Sequence, residues 1–376
     1  MTQERFPCTV GLDVRMLEHS GIGTYLRGLL SGMARLQDAP SFHFLGPRRF
    51  RPIVPERLCG LYYLRDWPIY SLKEQVLFPE GLRHVPLFHA PHYNFPLRVR
   101  GRLVVTLHDL NHLVFQDRLP SMLHRMYARF MHKEAAIRAA RILTVSEKSR
   151  REVLDILNVP PERVHAIPPG VGAEFHPGRD AAEITEFQKK RGLPSGYFLA
   201  VGINKPHKNL TFLIRAMARI QGKSGNSARL VVAGPEPETR GDLEEAARKA
   251  GVSDRVLFPG RMAHADMPLL YAGARALIFP SLYEGFGLPP LEAMKTGIPV
   301  AASNREPMPE VLGNAALYFD PEDEEALAEA MTRLAEDEAL REDFVERGLR
   351  QAALYDWKET ARKTLDVYRE ALEDRR

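Results

Sequence analysis

Short apolar runs alternate along the chain with longer segments in which apolar residues recur every three or four positions. In the first half the runs are TVGLDV, LFHAP, RLVVTLHD and RILTVS, and helical spacing appears in GTYLRGLLSGMARL, near 121–140 and near 147–157. Such runs are typical of buried strands, and the spacing between them is typical of amphipathic helices. The first half therefore predicts repeated strand-helix-strand units.

The alternation stops at HAIPPGVGAEFHPGRD, which is rich in proline and glycine, and it resumes at YFLAVG. It then continues through RLVVAG, RVLFPG, ALIFPS, IPVAAS and ALYFD. Because 376 residues exceed what one core usually supports, and because proline and glycine mark loops, we expect two domains joined by a linker. The predicted division is 1–175, a linker at 176–195, 196–355, and a last helix at 356–376 that packs across the domain junction.

This pattern predicts an α/β fold of two doubly wound, Rossmann-like domains with parallel sheets. Ligands of such sheets bind beyond the carboxyl ends of the strands. We therefore expect the two domains to face each other across a cleft that contains the active site. Residues that directly follow strands are the first candidates for its chemistry.

Composition adds the cellular setting. The chain has two cysteines, Cys8 and Cys59, without the spacing of a metal site or of a disulfide framework. Its start is charged where a secretory signal needs an apolar core, and no later stretch is apolar for the length of a membrane span. We expect a cytoplasmic protein that neither crosses a membrane nor is exported.

Charge is unevenly distributed along the chain. The net charge is +4, but residues 83–151 contain 13 basic and 4 acidic residues. A positive surface attracts anionic lipid, phosphate-bearing substrates or nucleic acid, while a solvated helix face is the plain alternative. No nucleic-acid recognition motif accompanies the charge, so we predict no nucleic-acid partner and consider peripheral contact with an anionic membrane.

The stretch EGFGLPPLE, residues 284–292, carries the clearest chemical signal. It follows the strand-like run ALIFPS, so its glycines, Gly285 and Gly287, lie at the expected carboxyl edge of a sheet. Glycines there let a ligand approach bare backbone, and Pro289 and Pro290 suit the first turn of a helix. The amides of residues 286–288 then form a natural site for phosphate at a helix start.

Two carboxylates flank this predicted phosphate site. Glu284 precedes the turn and Glu292 lies about one helical turn inside the helix. Carboxylates are poor ligands for phosphate but good acceptors for hydroxyl groups, so the pattern suits a phosphate between two sugars. It indicates a nucleotide sugar, and the plain alternative is a capping carboxylate with a surface glutamate.

Three further loops follow predicted strands. Gly21 and Gly23 open a helix in HSGIGTYL, without the full spacing of a dinucleotide fingerprint. His108 closes the strand of RLVVTLHD and is predicted at the same sheet edge, although a buried structural histidine is the alternative. Lys205 and Lys208, in VGINKPHKNL, can neutralise a diphosphate as it leaves. No motif for a metal or a serine nucleophile is present.

These residues together resemble the retaining glycosyltransferases of family 4, which have the two-domain GT-B fold. EGFGLPPLE matches the Glu-x7-Glu pattern of that family, SGIGTYL its glycine loop, TLHD its strand-end histidine and NKPHKN its phosphate-binding lysine loop. The resemblance covers almost the whole chain. It implies an acceptor-side first domain, a second domain that binds the nucleotide sugar, and transfer with retention of configuration, without a metal or other cofactor.

The resemblance also implies a role for each matched residue. Catalytic roles fall to three side chains: Glu284 at the donor sugar's hydroxyls, Lys208 at the diphosphate, and His108 at the donor sugar's 6-hydroxyl or at backbone near the reaction centre. The remaining donor-binding positions are Gly21, Gly23, Lys205, Phe286, Gly287, Leu288 and Glu292, with Glu292 on the ribose. Many members have an arginine where this chain has Ile203 or His207, so Lys205 is the candidate for the second positive charge.

The function expected from this resemblance is hexose transfer, with mannose from GDP-mannose as the first choice, to a glycan or lipid-linked acceptor in surface polysaccharide synthesis. A UDP-sugar donor of the glucose or N-acetylglucosamine type is the alternative among enzymes. A non-catalytic sugar-nucleotide-binding protein is the alternative from another class. His108 favours catalysis, because a sensor needs only the nucleotide site.

Overall fold

The computed structural model describes residue 6 and residues 8–67, 69–115, 121–220 and 227–374. The chain divides into two compact units. The first unit consists of Met1–Gly170 with Tyr355–Arg376, and the second consists of Val171–Leu354. Among the described residues, none of the helices combines the length and the apolar character needed to cross a bilayer.

The first unit is built on a parallel sheet. Its described strands are β1 (Val10–Asp13), β2 (Phe42–Gly46), β3 (Cys59–Leu64), β4 (Leu87–Ala90), β5 (Arg102–Leu107), β6 (Ala139–Thr144) and β7 (Val164–Ala166). They are ordered β3-β2-β1-β4-β5-β6-β7. The order reverses between β1 and β4, which is where doubly wound sheets bind ligands.

Helices connect these strands because each parallel pair needs a crossover. Those before residue 170 are α1 (Ser20–Ala34), α2 (Leu72–Val76), α3 (Glu80–Arg83), α4 (Asn111–Val114), α5 (Met122–Arg138) and α6 (Glu147–Leu157). The central strands β1 and β4 are buried at every position, since helices cover both faces of the sheet.

The second unit repeats this architecture. Its described strands are β8 (Tyr197–Val201), β9 (Leu230–Ala233), β10 (Val256–Gly260), β11 (Ala274–Phe279), β12 (Val300–Ser303) and β13 (Leu317–Phe319), in the order β10-β9-β8-β11-β12-β13. All neighbouring strands are parallel. The order reverses between β8 and β11, so the loops after these two strands emerge at the switch point.

The second unit has eight described α-helices that cover its sheet. They are α7 (Ala181–Arg191), α8 (Leu210–Met217), α9 (Gly241–Lys249), α10 (Met267–Ala272), α11 (Leu288–Thr296), α12 (Met308–Leu312), α13 (Glu324–Glu336) and α14 (Glu338–Ala352). Helix α7 differs from the prediction, which assigned 176–195 to a linker. Asp180 caps it and Phe187 is buried, so this polar-looking segment packs as part of the second unit.

The last helix is α15 (Trp357–Glu373), and its packing across the domain junction stays a prediction. It belongs to the first unit, where it packs against α1. The Trp357 indole occupies the space that a side chain at Gly28 would need, and the backbone of Trp357 does the same at Gly32. Two glycines one turn apart on α1 therefore create the groove that holds α15 in this unit.

Candidate active site

Lys208 and Glu284 meet at the switch point of the second unit. Lys208 ends a short turn, Pro206–Lys208, that follows β8, and Glu284 lies in the loop after β11. The Lys208 Nζ lies 2.6 Å from Glu284 Oε1, and both side chains are less than one-fifth exposed. The backbone amide of Leu282 donates to the carbonyl of His207 over 2.7 Å, which ties the two loops together.

This ion pair has a geometry that suits exchange of partners. A lysine held at low exposure is attracted strongly to any anion that replaces its carboxylate, because screening by water is weak there. Phosphate oxygens could take the ammonium, and Glu284 would then be available to accept from sugar hydroxyls. Lys205 begins the same turn but is exposed, so its charge acts through more solvent.

Gly287 sets the start of α11. Its φ of 110° lies in the region that favours glycine, and a Cβ there would lie 2.5 Å from the Met308 Cε. Leu288 is the first residue of the helix and Pro289 follows it. Proline has no N–H to satisfy, so the helix start keeps the amide of Leu288 for a ligand. The side chain of Phe286 is buried beside this turn.

Glu292 lies inside α11 and is bonded to a residue that the sequence did not indicate. The Tyr271 hydroxyl donates to Glu292 Oε2 over 2.8 Å, and both side chains are buried. Burial raises the pKa of Glu292 to about 7, although the hydrogen bond from Tyr271 and the charge of His264 act in the opposite direction. Tyr271 lies on α10, in a segment without any catalytic motif, so only the structure reveals this contact.

The raised pKa of Glu292 predicts a dependence of stability on pH. The folded state binds the proton up to about pH 7, whereas the unfolded chain loses it near 4.5. Between these values the folded state therefore binds more protons, and stability falls as pH rises, by about 3 kcal/mol in total. The Glu292→Gln variant should lack this component, so urea unfolding at pH 5 and pH 8 should show a smaller difference than in the wild type. If the difference in stability between pH 5 and pH 8 were the same in Glu292→Gln as in the wild type, the raised pKa of the buried Glu292 carboxyl would be contradicted.

In the first unit, His108 follows β5, a neighbour of β4 at the switch point. Its Nε2 lies 3.0 Å from the Pro91 carbonyl, and the Tyr25 ring contacts it edge-on with centroids 4.8 Å apart. Burial lowers the pKa of His108, so the ring is neutral near pH 7. Because a carbonyl only accepts, Nε2 carries the proton and Nδ1 is left as an acceptor.

Gly21 and Gly23 lie in the first turn of α1. A Cβ at Gly23 would collide with the Leu17 carbonyl, so glycine is required there. A Cβ at Gly21 would meet no described atom within 4 Å, so the backbone at Gly21 faces open space that a ligand could enter. The two glycines thus differ: one closes the turn, and the other leaves its backbone accessible.

A buried charge cluster at the end of β1 is a second feature that the sequence did not indicate. Arg15 lies 2.6 Å from both Asp13 Oδ2 and Glu74 Oε2. Burial alone would lower the pKa of Arg15, but the two carboxylates raise it, so it stays charged.

His89, in β4, has both ring nitrogens bonded, to Tyr368 and Thr106, which gives it a structural role.

Comparison with known proteins places this chain in a family. A model described as Glycosyl transferases group 1 matches residues 183–351, and one described as Glycosyltransferase Family 4 matches residues 19–175. O-antigen chain mannosyltransferase B of Escherichia coli is 32% identical over 372 residues, which cover 93% of this chain and 96% of that protein. The chain is a family 4 glycosyltransferase. The resemblance seen in the sequence motifs is thereby confirmed.

Other similarities agree with this assignment. The glycosyltransferase is 31% identical over 347 residues to serotype-specific mannosyltransferase WbdA of Escherichia coli, covering 90% of this chain and 42% of that longer protein. Among solved structures, Anabaena Alr3699/HepE in complex with UDP-glucose matches with a TM-score of 0.77 at 16% identity, over 96% of this chain and 100% of that chain. The predicted GT-B fold is confirmed.

Proposed function

We propose that this glycosyltransferase binds the diphosphate of a nucleotide sugar at the switch point of its second unit. The observation that carries the proposal is the Lys208–Glu284 pair, with 2.6 Å between Nζ and Oε1, in the loops after β8 and β11. Lys208 would bind the diphosphate and Glu284 the hydroxyls of the donor sugar, while the amides near Phe286, Gly287 and Leu288 would complete the phosphate site.

Glu292 is proposed to hold the ribose of the donor. One of its oxygens already accepts from Tyr271, and the other would accept from a ribose hydroxyl. Ionisation of the carboxyl then strengthens the bond, since hydrogen bonds to a charged acceptor are stronger than neutral ones. Lys205 is proposed to supply the second positive charge near the diphosphate. The roles of His108, Gly21 and Gly23 stay predictions.

For the substrates, we propose mannose as the sugar, GDP-mannose as the donor and a lipid-linked glycan of a surface polysaccharide as the acceptor. The names of the relatives support the sugar and the pathway, since both are mannosyltransferases and one is described as acting on the O-antigen chain. The excess of basic residues within 83–151 supports peripheral contact with the cytoplasmic face of an anionic membrane. Residues 116–120 of that region lie outside the described residues.

The proposed reaction retains the anomeric configuration and needs no metal. The bond from C1 of mannose to the diphosphate oxygen breaks, and the bond from C1 to the acceptor oxygen forms on the same face. The acceptor proton passes to the departing diphosphate oxygen. Lys208 would stabilise the negative charge that develops on this leaving group, which is electrostatic catalysis by a preorganised cation.

A UDP-sugar is the second candidate donor. The structure of Alr3699/HepE, which matches this chain in fold, is described as a complex with UDP-glucose. The two donors share the diphosphate and ribose, so Lys208 and Glu292 serve both. A sugar-nucleotide sensor would also bind at these residues, but it would release no nucleoside diphosphate.

The experiment that tests the proposal is product analysis with GDP-mannose or UDP-glucose as donor and a lipid-linked mannosyl oligosaccharide as acceptor. We expect transfer from GDP-mannose, an α-anomeric product from the α-linked donor by NMR, and an unchanged rate after treatment with EDTA. Transfer only from UDP-glucose would contradict the proposed GDP-mannose donor. A β-linked product would contradict retention of configuration, and loss of activity with EDTA would contradict metal independence. Absence of any nucleoside diphosphate release would favour the sensor.

A further inference from the structure

Helix α5 has two apolar sides, and only one of them faces the core. Ala128, Met131 and Ala135 are buried on the inner side. The outer side exposes five large apolar side chains, which are Met122 (64% exposed), Leu123 (74%), Met126 (60%), Phe130 (47%) and Ile137 (62%). At helical spacing they fall within an arc of about 100°. A surface helix of a soluble protein normally presents polar residues there.

Positive charge borders this apolar stripe. The exposed Lys133 lies within the same arc and the exposed Arg129 directly beside it, and α5 as a whole carries four arginine or lysine residues against one glutamate. Exposed apolar residues bordered by cations are the features of a helix that lies in the interface of an anionic bilayer. The charge also argues against a second copy of this chain as the cover, because two such faces would bring like charges together.

A cavity of about 550 Å³ lies at the far end of the stripe, in the first unit. It opens where β5 and β6 begin, at the sheet edge opposite to His108. Its lining includes four arginines, one carboxylate and the last residue of the stripe, namely Arg100, Arg102, Arg138, Arg163, Asp374 and Ile137. The stripe and the cavity are therefore continuous through Ile137.

Backbone carbonyl groups hold arginines of this cavity in place. Arg138 donates to the Val99 carbonyl over 3.0 Å and Arg163 to the Ala136 carbonyl over 2.8 Å. Arg163 also donates to the Ala139 carbonyl, so these bonds hold the guanidinium groups at the cavity, where their positive charge attracts an anion. The carboxylate of Asp374 is paired with Arg141 at 3.0 Å, so the positive charge of the cavity predominates.

We propose that the α5 stripe and the arginine-lined cavity form one docking surface for a bilayer that contains anionic phospholipid. Met122, Met126 and Phe130 enter the boundary between headgroups and acyl chains. The cavity takes the phosphate of an anionic lipid, which arginine recognises by paired hydrogen bonds. The biological role of this docking surface rests on the proposed function, in which the acceptor is lipid-linked. Vesicle binding tests the surface itself without donor or acceptor.

Sedimentation with vesicles tests the stripe. Vesicles of phosphatidylcholine alone are compared with vesicles of phosphatidylcholine and phosphatidylglycerol in equal parts. We expect binding only to the anionic vesicles, and a loss of at least about tenfold in the Met126→Ser/Phe130→Ser variant, because two large apolar side chains no longer enter the bilayer. Leu354→Ser, at a position 72% exposed in the second unit, is the matched control and should bind normally.

Three other outcomes would contradict the proposal that the α5 stripe enters the bilayer. They are failure to bind anionic vesicles, equal binding to both vesicle types, and equal loss in the Leu354→Ser control. Sedimentation equilibrium provides a further check, since a dimer that the double variant abolishes would assign the stripe to a second copy. The Phe130→Trp variant gives a direct signal: its fluorescence should shift to the blue and be quenched by brominated lipid.

Arg100→Glu tests the cavity. Arg100 is exposed at its rim, so the change should leave the fold intact and lower binding to anionic vesicles by about tenfold, with a weaker dependence on salt. Inorganic phosphate separates a lipid headgroup from a free ion. Suppose that phosphate stabilises the wild type but not Arg100→Glu, while both bind vesicles equally well. That result would contradict a lipid headgroup as the ligand of the cavity and would indicate a site for free phosphate.

Failure of this inference and failure of the proposed function give different results. Transfer to a short soluble acceptor does not need the membrane, so the α5 variants should retain it. Retained transfer without vesicle binding would overturn the docking surface and the peripheral membrane contact, and it would leave donor binding and sugar transfer unaffected. Vesicle binding without transfer from any donor would support the docking surface and overturn the proposed function.

Discussion

Replacing Lys208 with methionine should lower kcat by about 10²–10³-fold, because the leaving diphosphate loses its preorganised positive charge. The substitution also leaves Glu284, which is only 14% exposed, without the ammonium at 2.6 Å. Removing the cation of an ion pair at low exposure is destabilising, so a decrease in stability should accompany the loss of activity.

A double variant separates these two effects. Lys208→Met/Glu284→Gln removes both charges, so it should recover much of the stability while kcat stays low. Lys189→Met, an exposed lysine on α7, is the matched control and should change neither quantity. Recovery of kcat together with stability would show that Lys208 has a structural role only, and it would contradict the proposed contact with the diphosphate.

Replacing Glu292 with alanine should lower kcat/KM by about 10²-fold, mainly through KM, since the charge-assisted bond to the ribose is lost. The change also removes the acceptor of the buried Tyr271 hydroxyl. Glu292→Gln is the better matched variant because its amide oxygen can still accept from Tyr271. It should show most of the loss in affinity at normal stability.

The pH dependence of donor affinity makes this prediction more specific. The pKa of Glu292 is about 7, so donor affinity should rise with pH through this value as the carboxylate forms. Glu292→Gln should abolish the rise. Tyr271→Phe removes the hydrogen bond that lowers the pKa of Glu292, so the midpoint should move to higher pH. Titration calorimetry at several pH values measures the donor affinity and the pH midpoint of its rise. The same midpoint in the wild type and in Tyr271→Phe would contradict the positioning role of Tyr271.

The contact between Lys208 and Glu284 shows how far a sequence can predict such a site. Strand-end position and residue type identified both side chains, but their sequence separation of 76 residues gives no indication that they meet. The meeting depends on β8 and β11 being neighbours, and strand order is a property of the whole sheet. Local patterns therefore predict which residues face the edge, and topology decides which of them touch.

Contacts made by residues in unremarkable segments could not be predicted. Tyr271 bonds to Glu292 from a short helix that carries no motif. Trp357 was placed correctly on a helix, but its position in the first unit depends on the groove at Gly28 and Gly32, which only packing reveals. Helix α5 shows the same limit, because its charge was visible in the sequence whereas the exposure of Met126 and Phe130 was not.

The central claim is that the second unit binds a nucleotide sugar through the loops after β8 and β11. Thermal unfolding in the presence of GDP, UDP, ADP and their sugars tests it most directly, with Glu292→Ala in parallel. GDP and GDP-mannose should stabilise the wild type by about 2.7 kcal/mol at a hundred times the dissociation constant, and the variant should lose this shift. If no nucleotide shifts the transition, or if the variant responds like the wild type, this site is not where the donor binds.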